Sequence, residues 1–168
     1  MPSARRREGL MLLYHGTTVD FDVIDLGKSA PGKDFGRGFY LSDSRPQAEQ
    51  MAAFKAFLYD ASPIVLEFDF DDSKLLEAGL KVKWFKEYSQ EWAEFVFDNR
   101  RNTLAQNLHD YDFVYGPIAN DRVGAQIREL LENNIDFPTF LNRIKYGKGI
   151  TFQYFFGTEK ALALLRKL

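Results

Sequence analysis

Two stretches decide the fold: Leu10-Met11-Leu12-Leu13-Tyr14-His15-Gly16-Thr17 and Asp34-Phe35-Gly36-Arg37-Gly38-Phe39-Tyr40-Leu41-Ser42. The first is an apolar run that ends in a polar His-Gly-Thr, which is typical of a short buried strand. The second is a glycine loop that leads into another strand, and glycine is used where the backbone turns sharply or another group approaches closely. Together the two stretches can hold the imidazole of His15 and the phenol of Tyr40 close to backbone that glycine leaves uncovered.

Composition bounds the class of protein. The chain has 168 residues, of which 45% are hydrophobic and 15% aromatic, enough for one domain with one core. Its net charge of −2 gives no global basic field for nucleic acid, and its lack of cysteine excludes disulfides, thiolate metal sites and cysteine nucleophiles. No apolar run reaches the ~18–20 residues of a membrane span, and residues 1–9 lack the apolar stretch that is typical of a secretory signal. We therefore expect a cytoplasmic protein with no metal site and no membrane partner.

Hydrophobic periodicity predicts an α+β fold with a mixed, largely antiparallel sheet. Residues 1–9 are interpreted as a frayed basic tail, and residues 10–168 as a single domain. Strands are predicted at 10–15, 38–42, 64–70, 111–115 and 150–156. Helices are predicted from Ser44 to about residue 59, from a cap at Asp121, over 137–144 with Gly147 and Gly149 closing it, and after a cap at Thr158 through Leu165.

Residues 71–110 form the part of the chain that is hardest to place. They are predicted to be mostly helical, as an insertion or a cover. Their aromatic stripe is predicted to belong to the hydrophobic core, because aromatic side chains at helical spacing are usually buried. Its members are Trp84, Tyr88, Trp92, Phe95 and Val96.

Three ordered motifs resemble the ADP-ribosyltransferase superfamily, on the diphtheria-toxin-like branch that includes the poly-ADP-ribose polymerases. They are His15-Gly16-Thr17, then Gly36-Arg37-Gly38-Phe39-Tyr40-Leu41, and then Gln153-Tyr154-Phe155-Phe156. The likeness covers roughly residues 11–60 and 110–168, and it is closer to small bacterial domains that are often encoded beside an antitoxin-like gene. It implies a split sheet, made of two small sheets with flanking helices, and an NAD cleft between the two sheets.

The resemblance also implies roles for single residues. His15 would bind the adenosine ribose, the backbone of Gly16 the nicotinamide amide, and the ring of Tyr40 would stack on nicotinamide. Met51 falls where some relatives place a second ring-stacking tyrosine. The remaining residues expected at the cofactor belong to the same two motifs: Thr17, Phe35, Gly36, Arg37 and Gly38.

The chain departs from this family at its acid. Gln153 stands where the family has a glutamate that bonds the nicotinamide-ribose 2′-OH. A glutamine can hydrogen-bond a hydroxyl but supplies no negative charge, so transfer of a single ADP-ribose is expected rather than a polymer. Asp34 is the candidate for a compensating acid, and its alternative role is to cap the glycine loop.

The sequence thus predicts an NAD-dependent mono-ADP-ribosyltransferase, a bacterial toxin or defence enzyme with NAD as its substrate. Its catalytic residues would be Gln153, His15, Tyr40 and Asp34. The macromolecular acceptor is a protein or a nucleic acid, which the sequence leaves open, and an antitoxin protein is a candidate partner. Two alternatives also stay open: an NAD glycohydrolase of the same fold, and a non-catalytic module that binds ADP-ribose or a partner.

Overall fold

The apolar run that begins at Leu10 forms a strand at the centre of the protein, here described from a computed structural model that covers residues 5–7, 10–144 and 150–168. The described strands are β1 Arg5–Arg7, β2 Leu10–Thr17, β3 Phe39–Leu41, β4 Ile64–Asp71, β5 Val82–Trp84, β6 Phe113–Pro117, β7 Phe152–Phe156 and β8 Leu165–Lys167. The described helices are α1 Arg45–Tyr59, α2 Lys74–Glu77, α3 Gln90–Arg101, α4 Asp121–Leu131, α5 Phe137–Ile144 and α6 Glu159–Leu162.

The described strands pair into two four-stranded sheets. The first sheet has the order β1-β2-β4-β8 and is antiparallel throughout. The second has the order β3-β7-β6-β5, in which β5 and β6 run parallel and the other pairs are antiparallel. An isolated bridge between Tyr14 and Ser42 links the two sheets. The protein therefore has an α+β fold with two small, largely antiparallel sheets, as the sequence predicts.

The second sheet is buried on both faces, which explains why β7 is almost entirely apolar. Phe156 packs against the first sheet, whereas its neighbour Phe155 packs against α3, α4 and α5. Both rings are fully buried. Because side chains alternate along a strand, Gln153 lies on the same face as Phe155. Tyr40 of β3 also packs on this helix-covered side.

Most of the predicted elements are confirmed. The predicted strands correspond to β2, β3, β4, β6 and β7. Ser44 and Thr158 cap their helices, because each hydroxyl oxygen accepts a backbone N–H of the first turn. The predicted cap at Asp121 is wrong: the Asn120 side chain accepts the N–H of Val123 at 2.9 Å, so the chain enters α4 one residue earlier. Gly147 and Gly149 lie outside the described residues.

The prediction that residues 71–110 are mostly helical is wrong, because the helices there are limited to Lys74–Glu77 and Gln90–Arg101. Residues 82–84 form β5, which pairs with β6, and Trp84 is 43% exposed rather than part of the core. Trp92 and Val96 of α3 are buried as expected. A short segment with weak helical pattern can pair with a free sheet edge instead, because tertiary context overrides local preference.

Both ends of the chain also differ from the prediction. Arg5–Arg7 pairs with β2 where a frayed tail was expected. The last helix stops at Leu162, and β8 then pairs with β4 where the helix was expected to continue. Edge strands offer unpaired N–H and C=O groups. The two short segments β1 and β8, which have no strong hydrophobic pattern of their own, pair with these groups.

The helix α1 lies on β2 through its small residues. Ala48, Ala52 and Ala56 are buried, whereas the larger apolar side chains of the helix, such as Phe54 and Leu58, are exposed. Gly16 is where the helix comes closest to the strand. A Cβ on Gly16 would lie 2.1 Å from the carbonyl oxygen of Ala48 and 2.7 Å from the nitrogen of Ala52, which are both backbone atoms.

This close approach predicts that Gly16→Ala destabilises the fold by about 1–3 kcal/mol, because the helix must move off the sheet. Urea denaturation measures the change. Gly27→Ala is the matched control, since a Cβ there would meet just the side chain of Asp25, at 3.1 Å. Equal unfolding midpoints for the two variants would contradict the packing described here.

Candidate functional site

The candidate site lies where β2 separates from β3. Tyr14 and Ser42 exchange two backbone hydrogen bonds across this seam, of 2.7 and 2.9 Å. One residue further along β2, the His15 Nδ1 lies 2.7 Å from the carbonyl oxygen of Tyr40. A side chain thus takes over from the backbone in joining the two sheets, and it brings together two residues that the sequence predicts for the site.

The hydrogen bond to Tyr40 places a proton on the Nδ1 of His15, and burial keeps the imidazole neutral. Because a carbonyl oxygen can only accept, Nδ1 carries the proton and donates it to Tyr40. Burial, and then the repulsion from Lys55, lower the pKa of His15 to about 4, although the bond to Tyr40 opposes the shift. The ring packs on Phe39 with centroids 4.3 Å apart. The Nε2 lone pair is therefore available to accept a hydrogen bond from a hydroxyl group.

The backbone of Gly16 faces the same seam. Along an antiparallel strand, successive residues alternate between bonding to one neighbour and pointing to the opposite edge. Tyr14 bonds to Ser42 at that edge, so Gly16, two residues later in an unbroken register, points the same way. Its carbonyl oxygen accepts a hydrogen bond from the Lys55 Nζ at 2.8 Å.

Tyr40 is anchored by the glycine loop that precedes it. Its hydroxyl donates to the carbonyl of Gly36 at 2.5 Å and accepts the N–H of Phe35 at 3.0 Å. Burial raises the pKa of Tyr40, so the phenol stays protonated. Gly36 has φ of +91°, and a Cβ there would lie 2.5 Å from the Asn107 Oδ1, so glycine is required. The loop thus holds the ring of Tyr40 in a fixed orientation.

Three of the predicted cofactor residues shape this loop from behind. Phe35 is fully buried in the core cluster with α3 and α4. The Arg37 guanidinium donates to the carbonyls of Ser29, Ala105 and Gly27, at 2.6 to 3.0 Å. Gly38 lets the Phe155 ring approach, since a Cβ there would lie 2.2 Å from it. The structure gives these side chains a role in loop conformation rather than a contact with the seam.

Two other predicted cofactor residues lie at the margin. Thr17 is buried, and its hydroxyl oxygen accepts the N–H of Val19 at 3.3 Å. Met51 is 45% exposed on α1, four residues before Lys55.

Asp34 and Gln153 are in direct contact. The Gln153 Nε2 donates to the Asp34 Oδ2 at 3.0 Å, and the N–H of Ala119 donates to the same oxygen at 3.1 Å. The Arg100 Nε donates to the other oxygen at 2.7 Å. The Asp34 side chain is 12% exposed. Arg100 offsets its charge, which favours a role for Asp34 in orienting Gln153 over the expected role of an uncompensated acid.

Sequence reasoning missed Arg100, and the signal for it was weak. It ends an amphipathic helix, where a basic residue is ordinarily explained by the negative end of the helix dipole. Its second nitrogen also bonds to the carbonyl of Ala119. The one available signal is its position four residues after the buried Val96, which places Arg100 on the inner side of α3.

Sequence reasoning also missed two lysines at the seam. The Lys33 Nζ lies over the ring of Tyr40, 5.5 Å from its centroid, and Lys55 holds the carbonyl of Gly16. Burial of the ammonium lowers the pKa of Lys33. Burial and then repulsion from Lys33 lower that of Lys55 to about 8. No carboxylate in the described ranges forms an ion pair with either lysine.

Two cavities lie away from this seam. One of about 300 Å³ is lined by Met11, Asp72, Trp84, Lys86, Tyr115 and Tyr154. Another, of about 360 Å³, lies between α3 and α4. In the part of the chain that is described, no group of three or more His, Asp or Glu side chains could hold a metal ion. No helix there is long and apolar enough to cross a membrane.

Comparison with known proteins gives one match. Residues 11–166 match the model of a family described as "Protein of unknown function (DUF3990)". No curated protein and no solved structure matches the chain. The matched residues include every candidate site residue, from His15 to Gln153.

The depressed pKa predicts how pH acts on His15. The chain has two histidines, so their imidazole nitrogens can be followed separately by NMR. We expect His15 to keep its Nδ1 proton and stay neutral down to about pH 4, against 6.5 when unfolded. The unfolded chain then binds more protons between these values, so the free energy of unfolding falls as the pH falls through that window. Lys55→Met should raise the pKa of His15, because it removes a repelling charge. Titration of His15 near pH 6.5 would contradict the assignment.

Proposed function

We propose that this chain, which belongs to the DUF3990 family of proteins of unknown function, binds NAD at the seam between its sheets and transfers one ADP-ribose to an acceptor. One observation carries the proposal: His15, Tyr40 and Gln153 lie on three strands that are joined side by side, β2, β3 and β7. His15 bonds to the Tyr40 carbonyl, and β3 pairs with β7. The proposal includes the ADP-ribosyltransferase arrangement of the split sheet.

The chemistry of each group suits a part of the dinucleotide. The neutral Nε2 of His15 would accept a hydrogen bond from a hydroxyl of the adenosine ribose. The backbone of Gly16, directed at the seam, would bind the carboxamide of nicotinamide. The ring of Tyr40 would stack on the nicotinamide ring, which carries a positive charge in NAD. The ring of Tyr40 already faces a cation, since the Lys33 ammonium is 5.5 Å from the centroid of that tyrosine ring.

The reaction breaks the bond between nicotinamide and C1′ of its ribose. The bond electrons leave with the nicotinamide nitrogen, so the leaving group becomes neutral and needs no proton. Positive charge develops on the ribose, as in glycoside cleavage. An acceptor oxygen or nitrogen then bonds to C1′ and loses its proton. The protein's task is therefore to orient the dinucleotide and to place fixed dipoles beside the developing cation.

Gln153 would supply one of these dipoles. Its Nε2 is committed to Asp34, which turns its Oε1 away from that carboxylate. An amide oxygen fixed in this way can accept a hydrogen bond from the ribose 2′-OH. Asp34 polarises the amide without lying free beside the ribose, because Arg100 offsets its charge. In this account Asp34 is a positioning residue, and Gln153 is the catalytic residue that it orients.

The acceptor remains a macromolecule of either class, protein or nucleic acid, and an antitoxin protein is a proposed partner of a toxin of this kind. A neutral Gln153 cannot hold a second ribose as a carboxylate does, which favours a single transfer over a polymer. Water is the second candidate acceptor because it is the simplest one, and its use would make the protein an NAD glycohydrolase. A non-catalytic ADP-ribose-binding module would share the seam but release no nicotinamide.

Turnover of labelled NAD, with and without cell extract, tests the roles of Gln153 and Asp34. We expect Gln153→Ala to lower kcat on the order of 10²-fold with little change in KM, because the contact matters most in the transition state. Asp34→Asn should also lower kcat, because its new amide lets Gln153 turn around. Adding Gln153→Glu to Asp34→Asn restores one donor and one acceptor and should recover activity.

Glu159→Gln is the matched control, as it removes an exposed acid at the start of α6 and should leave turnover unchanged. Wild-type turnover in Asp34→Asn would remove the positioning role. Release of free ADP-ribose alone would favour the glycohydrolase. Absence of nicotinamide release from the wild-type protein in every extract would favour the non-catalytic module.

A further inference from the structure

Two ammonium groups occupy the positions that the proposed ligand needs. The Lys55 Nζ donates to the carbonyl of Gly16, as the carboxamide NH₂ of nicotinamide would. The Lys33 Nζ lies over the ring of Tyr40, where the cationic nicotinamide ring would stack. Each lysine thus contacts a group that a part of NAD would contact.

The two lysines also form a local excess of positive charge. They approach the seam from different elements, Lys33 from the glycine loop and Lys55 from α1. The other titratable groups near them are His15, which is neutral, and the protonated phenol of Tyr40. The charge of Asp34 also acts on Tyr40, and Arg100 offsets it. The mutual repulsion of the two lysines contributes to the lowered pKa of Lys55. In the described ranges neither lysine has a carboxylate partner, so two cations share a site that an anion would neutralise.

We propose that Lys33 and Lys55 form a diphosphate site, and that a bound diphosphate draws both ammonium groups away from Tyr40 and Gly16. Two separate cations match two linked phosphate groups, each of which accepts charge-assisted hydrogen bonds. Long, flexible lysine side chains can make this movement without a change in the backbone. The proposal rests on the proposed function for its final step, in which NAD supplies the diphosphate and its nicotinamide takes the two vacated positions.

The two lysines would also determine which ligands the site prefers. A nucleoside without phosphate offers neither Lys55 nor Lys33 a new partner. A ligand that carries a diphosphate gives both of them one. The site should therefore favour dinucleotides and nucleoside diphosphates over nucleosides, whatever reaction follows.

Calorimetry of the full chain with adenosine, ADP and inorganic pyrophosphate tests the proposal. We expect Lys33→Met and Lys55→Met each to weaken the binding of ADP and of pyrophosphate by about tenfold or more, which is the scale for a hydrogen bond to a charged group. Adenosine affinity should be unchanged, which also shows that the variants are folded. Lys74→Met, which removes an exposed lysine of α2, is the control and should bind as wild type does.

Proton uptake gives a second readout. Because the pKa of Lys55 is about 8, the free protein at pH 8.5 has lost much of that proton, and a bound phosphate should restore it. Titrations in two buffers of different ionisation enthalpy should show uptake on ADP binding that is lost in Lys55→Met.

The outcomes separate this proposal from the proposed function. Lysine-dependent binding of pyrophosphate without binding of NAD would support the diphosphate site and contradict the NAD-dependent activity. NAD and ADP binding that is equal in Lys33→Met, Lys55→Met and Lys74→Met would overturn the diphosphate site and leave the activity standing. Binding of none of these probes would contradict both.

Discussion

The structure of the seam depends on one nearly buried carboxylate, that of Asp34. A charge removed from water is costly unless it is paired and hydrogen-bonded. Asp34 meets this requirement with donors from three places: Arg100 on α3, the backbone of Ala119 before α4, and Gln153 on β7. The glycine loop, the helix layer and the second sheet are therefore fixed relative to one another by a single group.

The glycine loop also connects Asp34 to the residues of β3 and β2. Gly36, two residues after Asp34, accepts the hydroxyl of Tyr40, and the Tyr40 carbonyl accepts the imidazole of His15. The chain of contacts ends on β2, so both sheets are tied to the same loop. At that end the charge is positive, with Lys33 and Lys55 beside a neutral imidazole. A ligand with two phosphates and a cationic aromatic ring would complement both the charge and the ring of Tyr40.

Hydrophobic pattern was sufficient for most of the fold, because long apolar runs such as 64–70 leave few alternatives. It failed where a segment joins a free sheet edge, as Val82–Trp84 does, since that choice depends on distant residues. Motif order predicted that His15, Tyr40 and Gln153 belong to one site, but it could not separate residues that face the seam from those that support it. Phe35 belongs to the core for this reason. Arg100, Lys33 and Lys55 escaped notice because their partners are set by tertiary contacts, which leave no local spacing to read.

Calorimetric titration of NAD into the wild-type protein, Tyr40→Ala and His15→Ala tests most directly whether the seam is an NAD site. The account predicts binding by the wild type and a loss of roughly 1–3 kcal/mol in Tyr40→Ala, the scale for one stacked ring. It also predicts weaker binding in His15→Ala. Tyr59→Ala, which removes a 71% exposed ring at the end of α1, should bind as the wild type does. Unchanged NAD affinity in folded Tyr40→Ala and His15→Ala, or no binding by the wild type, would contradict the account.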